Sequence, residues 1–147
     1  MFQFRIIYKL ISSCRTEWTR KWLLRRKHQG FYDNLMQELR LETPKLYNNF
    51  LRLNYEAFEE ILIRIRPSIQ KMNTNMREVI KPEIRLAVTL RYLATGETFA
   101  SLAYQFRVSF QRIRIIVPET CEAIYMHFKN EYLHVCTHHL NCYNLIQ

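Results

Sequence analysis

Residues 98–117 read TFASLAYQFRVSFQRIRIIV, and their spacing decides the fold. Phe99, Leu102, Ala103 and Phe106 fall at i, i+3, i+4 and i+7, the apolar stripe of a helix of about nine residues. Arg107 and Val108 make a short turn. Ser109 then stands where a hydroxyl accepts from a free backbone N–H and caps a second helix. Ile113, Ile116 and Val117 form the inward face of that helix, Val108 points back into the angle between the two, and small Ala103 lets them approach closely. This is the spacing of a helix-turn-helix, whose second helix offers its N-terminal half to the DNA major groove. Arg107 occupies a turn position that often takes left-handed backbone, where glycine costs less.

On the second helix the outward positions are Phe110, Gln111, Arg112 and Arg114. Arginine contacts guanine O6/N7 or phosphate, and glutamine reads adenine. The segment 82–95 supplies the third helix of a trihelical unit, with Arg85 and Arg91 outward and, like Arg107, placed near phosphates. The plainer alternative is an ordinary helical hairpin whose arginines solvate the surface. Pro118 is expected to end the recognition helix near Ile116 and to start another at its first position.

Working outward, periodicity is helical throughout, with no repeat and no alternating strand pattern. Phe31, Leu35 and Leu39 share one face of a short helix ending before Thr43-Pro44. Thr43 then caps a helix through Tyr47, Phe50 and Leu51. Asn54 caps the next, with Glu56 in its first turn, Phe58, Ile61, Leu62 and Ile65 as its buried stripe, and Pro67 closing it. Gln70 to Arg77 read as linker. Pro82 restarts a helix whose Leu86, Leu90 and Leu93 face inward, with Gly96 at the C′ position. The expected fold is all-α: a poorly specified segment 1–17, a helical subdomain 18–72, a linker 73–81, the helix-turn-helix-like unit 82–135 and a tail 136–147.

Composition bounds the chemistry. The chain has 147 residues, 48% of them apolar, which suits one packed domain. Only Gly30 and Gly96 are present, which removes Gly-rich phosphate cradles and dinucleotide fingerprints. Asp33 is the only aspartate, so a site needing two or three Asp ligands for Mg²⁺ cannot be built. No nucleophile sits beside a base in a recognisable frame, and Glu59 and Glu60, adjacent on a helix, point about 100° apart. No enzyme, cofactor or small-molecule substrate is assigned.

Twenty-two Lys and Arg against 13 acids give a net charge of +9, a balance typical of chains that meet nucleic acid. Arg20, Lys21, Arg25, Arg26 and Lys27 surround Trp22, Leu23 and Leu24, either as a phosphate-binding arm or nuclear-import patch, or as a solvated face snorkelling over the tryptophan. Past Pro118 the balance reverses, with Lys129 against Glu119, Glu122 and Glu131. Cys14, Cys121, Cys136 and Cys142 lack the density of a disulfide framework, so reduced thiols and an intracellular setting are expected. Residues 1–16 are basic and acid-free, a weak targeting signal beside the simpler reading of a frayed helix. No apolar run reaches membrane-span length, so no membrane partner is expected. Cys121, His127, His134, Cys136, His138, His139 and Cys142 contain enough donors for zinc, but their spacing matches no finger or ribbon, and no metal site is assigned.

WLLRRK (22–27), TNMRE (74–78), RLAVTLRYLATGE (85–97), FRVS (106–109), and CEAIY with KNEYL (121–133) carry a resemblance over about residues 18–135. The chain resembles the N-terminal helical region of PIF/Harbinger transposase-derived nucleases. The resemblance implies binding of double-stranded DNA, a nuclear location and a Myb/SANT-like protein partner. In that family a separate downstream RNase H-like domain carries three metal-binding carboxylates. The match ends at Val135, where CTHHLNCYNLIQ departs from the family pattern, so the expectation is a helical region truncated before the nuclease domain. Family members often carry small polar residues early in the recognition helix, a pattern from which Phe110, Gln111 and Arg112 depart. On this reading Gln111, Arg112 and Arg114 contact DNA, with Ser109 at the cap. The other reading is a protein-interaction module, in which exposed aromatics such as Phe110 and Tyr104 dock a helical partner or the missing nuclease half.

Overall fold

Local capping chemistry places several of the helix ends. Asn54 Oδ1 accepts from the Ala57 N–H at 3.0 Å, and Thr98 Oγ1 accepts from the Ser101 N–H at 3.2 Å. Pro44 and Pro82 open helices where the missing N–H is not needed. Gly96 adopts left-handed backbone at φ 66° and returns its N–H to the Tyr92 carbonyl at 2.8 Å. Thr43 precedes Pro44 as expected, but its side chain makes no cap; its backbone carbonyl receives the Leu46 and Tyr47 N–H groups instead.

The computed structural model describes residues 19–72 and 78–132. Among them are eight helices and no strand: α1 (Lys21–Leu24), α2 (Arg26–Gln29), α3 (Leu35–Glu42), α4 (Pro44–Leu51), α5 (Tyr55–Ile69), α6 (Pro82–Thr95), α7 (Phe99–Phe106) and α8 (Phe110–Tyr132). The fold is all-α. Helix α6 runs through the middle, packed against α4, α5, α7 and α8, and six consecutive residues, Ile84 to Thr89, are buried on it. One apolar cluster joins Phe58, Leu62 and Ile65 of α5 to Leu86 and Val88 of α6, and to Leu102, Phe106, Val108, Ile113 and Ile116 beyond. The stretches on either side of residues 73–77 therefore share a core.

Two prolines behave otherwise than expected. Pro67 does not close α5, which continues to Ile69, and Pro118 does not divide α8, which runs unbroken for 23 residues. Each proline withdraws one N–H from the carbonyl four residues earlier, on Ile63 and Arg114. All four residues are exposed, so the freed carbonyls lie on the solvent side, while inward packing holds each helix on both sides of its proline. In α8 the buried face passes from Ile113, Ile116 and Val117 to Thr120 and Ala123 across Pro118.

Two leucines also fall elsewhere. Leu93 is 60% exposed because α6 has left the core by its last turn, and on α3 Met36, not the 40% exposed Leu35, is the buried residue. Truncation of the fully buried Phe106 to alanine is expected to cost about 3–5 kcal/mol in a denaturant titration.

The α6–α7 connection is set by Glu97. Its carboxylate receives Arg91 Nε at 2.9 Å, Ser101 Oγ at 2.8 Å and Gln105 Nε2 at 2.5 Å. Burial pushes the carboxyl up, but the Ser101 and Arg91 hydrogen bonds, the Arg91 charge and the Gln105 amide outweigh it and hold it below the usual glutamate range. A carboxyl depressed in the folded state stabilises above its unfolded pKa, and that contribution is lost as pH falls through the folded value. Glu97→Gln should therefore lose less stability than the parent on acidification from about pH 5 to about pH 3, measured by urea midpoints.

Candidate nucleic-acid interface

The link between α7 and α8 is short because Arg107 turns left-handed at φ 49°, ψ 47°. The Arg107 and Val108 N–H groups both return to the Ala103 carbonyl, and the Val108 side chain is fully buried in the angle, as its position predicts. Buried Ala103 lies on the facing side of α7. The Ser109 carbonyl accepts from the Arg112 and Ile113 N–H groups at 2.9 and 3.1 Å and starts α8. Ile113, Ile116 and Val117 go inward, and Phe110, Gln111, Arg112 and Arg114 are exposed.

Arg107 is engaged within the chain. Its Nε donates to the Gln29 carbonyl at 2.9 Å and its Nη1 to the Trp22 carbonyl at 3.0 Å. Arg26 Nε donates back to the Arg107 carbonyl at 2.9 Å. The Phe31 N–H reaches the Gln105 carbonyl at 3.2 Å, and the Trp22 and Tyr104 rings stand 5.9 Å apart. These contacts fasten the basic N-terminal helices to the turn that precedes α8.

The fastening forms a cleft of about 180 Å³ walled by Arg26, Lys27, Lys81, Ser109 and Arg112, with Asp33 and Glu78 among its lining. Lys27 pairs with Glu78 at 2.7 Å and Lys81 approaches Asp33 at 3.7 Å. Four cations face two carboxylates, so the cleft keeps a positive excess. Arg20, Lys21 and Arg25 lie exposed on the adjoining N-terminal segment.

Arg85 and Arg91 are not outward. Arg85 is 5% exposed, since α6 has no free face at that level, and its Nη2 donates to the Glu119 carboxylate of α8. Arg91 lies 4.0 Å over the Phe50 ring, donates to the Phe50 carbonyl at 3.1 Å and pairs with Glu97. Both guanidiniums are engaged inside the protein. Lys81, missed from the sequence, takes its place at the cleft because it immediately precedes Pro82 at the start of α6. Only tertiary folding brings it beside Arg112.

The exposed face of α8 is not purely polar. Phe110 is 42% and Ile115 48% exposed, the Phe110 ring meets Phe99 edge-on at 6.3 Å, and the Arg114 guanidinium lies 5.9 Å from the Phe110 ring. Among the described residues no three His, Cys, Asp or Glu side chains gather as a metal site, and no helix is long and apolar enough to cross a membrane. His127 hydrogen-bonds Ser68 at 2.9 Å, and burial pushes the Cys121 thiol up, away from the thiolate that binds metal. His134, Cys136, His138, His139 and Cys142 lie outside the described residues.

No family model, curated protein or solved structure matches the chain.

Arg107→Gly removes two charge-assisted hydrogen bonds and relieves left-handed strain of about 1 kcal/mol, for a net loss of about 2 kcal/mol. Hydrogen exchange should show residues 20–29 losing protection while α6 to α8 keep theirs.

Proposed function

We propose that this chain binds double-stranded DNA through the first turns of α8, as the helical region of a Harbinger-type transposase-derived protein. The observation that carries the reading is the juxtaposition of exposed Gln111, Arg112 and Arg114 with the positive cleft of Lys27 and Lys81. Helices α6, α7 and α8 act as the trihelical helix-turn-helix unit, with Gln111 and the two arginines at base edges or phosphates and the cleft lysines at the flanking backbone. Phe110 and Ile115 suit apolar contact with thymine methyl groups in the same groove. The chain is read as non-enzymatic, nuclear, and working beside a Myb/SANT-like partner.

A second reading has its own support. Phe110, Ile115 and Tyr104 are 42%, 48% and 73% exposed, and such exposed apolar and aromatic side chains favour docking of a protein helix.

Fluorescence anisotropy on a labelled duplex separates the two. Arg112→Ala with Arg114→Ala should weaken binding, and should lower the slope of log K against log salt by about 2 if both arginines meet phosphate. Unchanged affinity in the double variant would overturn the assignment. Loss of a protein partner on Ile115→Ala, with duplex affinity intact, would favour the second reading.

A further inference from the structure

The solvent face of α8 carries a stripe that, beyond Ile115, the DNA reading does not use. Ile115, Pro118, Glu122, Tyr125, Lys129 and Tyr132 recur at alternating intervals of three and four residues, the spacing of a helix–helix seam. None is buried: Tyr125 is 55% and Tyr132 65% exposed, and Met126, beside them, is 52% exposed. Tyr125 and Tyr132 also wall an apolar groove of about 370 Å³ between α8 and α5, floored by Ala57, Ile61, Ile124 and Phe128. The two charges in the stripe have no opposite charge of their own among the described residues. Glu122 meets no cation there, and Lys129 faces only the Tyr125 ring at 5.8 Å and the Met126 sulfur at 3.6 Å. Neighbouring charges are already paired, Glu131 with Arg64 and Glu119 with Arg85.

We infer that this face is the contact between two copies of the chain, packed antiparallel about a two-fold axis passing between Tyr125 and Met126. The pairing of charges selects the occupant. Glu122 and Lys129 stand equidistant from that axis, so each Glu122 meets the Lys129 of the second copy, twice per dimer. A parallel pairing would set Glu122 against Glu122 and Lys129 against Lys129, and is disfavoured. Apolar side chains at the centre, Tyr125 and Met126, supply the buried area, and the α5–α8 groove receives those of the second copy. The long-range charge also permits it. The basic excess lies at the N-terminal helices and the start of α8, whereas the segment past Pro118 is net acidic. From Gln111 to Tyr125 the helix rises about 21 Å, beyond a Debye length of about 8 Å at physiological salt.

Sedimentation velocity on the full chain, with circular dichroism to verify helicity, tests this. The parent should sediment as a dimer in the micromolar range. Glu122→Lys alone and Lys129→Glu alone should each dissociate at least about tenfold more readily, because each turns both ion pairs into like-charge contacts. Mixing those two variants should restore a dimer, since every contact across the seam is then again of opposite sign. A monomeric parent, single variants that dimerise as the parent does, or a mixture that stays monomeric while helicity is retained would overturn the inference.

Discussion

Two arginines tie the N-terminal helices to the α7–α8 turn, and the arrangement of the candidate interface depends on that exchange. Arg107 donates to the Trp22 and Gln29 carbonyls, and Arg26 donates to the carbonyl of Arg107. Short helices of four residues, such as α1 and α2, cannot sustain themselves in water, because nucleation costs more than one turn of hydrogen bonds returns. Capture by Arg107 gives them a fixed place, and with it a fixed place for Lys27 beside Arg112. A residue that sequence logic placed near phosphate holds the N-terminal helices to the turn.

Central burial of α6 sets the second constraint. A helix enclosed on every side over Ile84 to Thr89 can keep an arginine there only if it is paired, and Glu119 does so from α8. The pair ties α6 to the longest helix just past Pro118, where the proline has removed one rung of the ladder. Inward packing by Val117, Thr120 and Ala123 then keeps α8 continuous. This continuity matters beyond stability: a helix broken at Pro118 would have no long outer seam, and its two ends could not serve different surfaces.

The geometry of α7, the turn and the start of α8 was legible from residues 98–117, because each decision there is local. The left-handed step at Arg107, the plug at Val108 and the inward stripe of α8 depend on neighbours within a few positions. The fates of Arg85, Arg91, Arg107, Pro67 and Pro118 were not legible, because each depends on a partner or a solvent face far along the chain. Arg85 finds Glu119 34 positions away, and Arg107 finds Trp22 85 positions away.

What the sequence by itself determined is the class of the fold, most of the apolar stripes and the caps at Asn54 and Gly96, since helical periodicity and capping are short-range physics. It also determined which side chains on the first turns of α8 point outward. Tertiary structure alone decided which of the basic residues are available to a partner. An arginine's guanidinium, on its long flexible stem, goes to whichever carbonyl, carboxylate or ring the folded chain brings within reach, and no spacing rule encodes that choice.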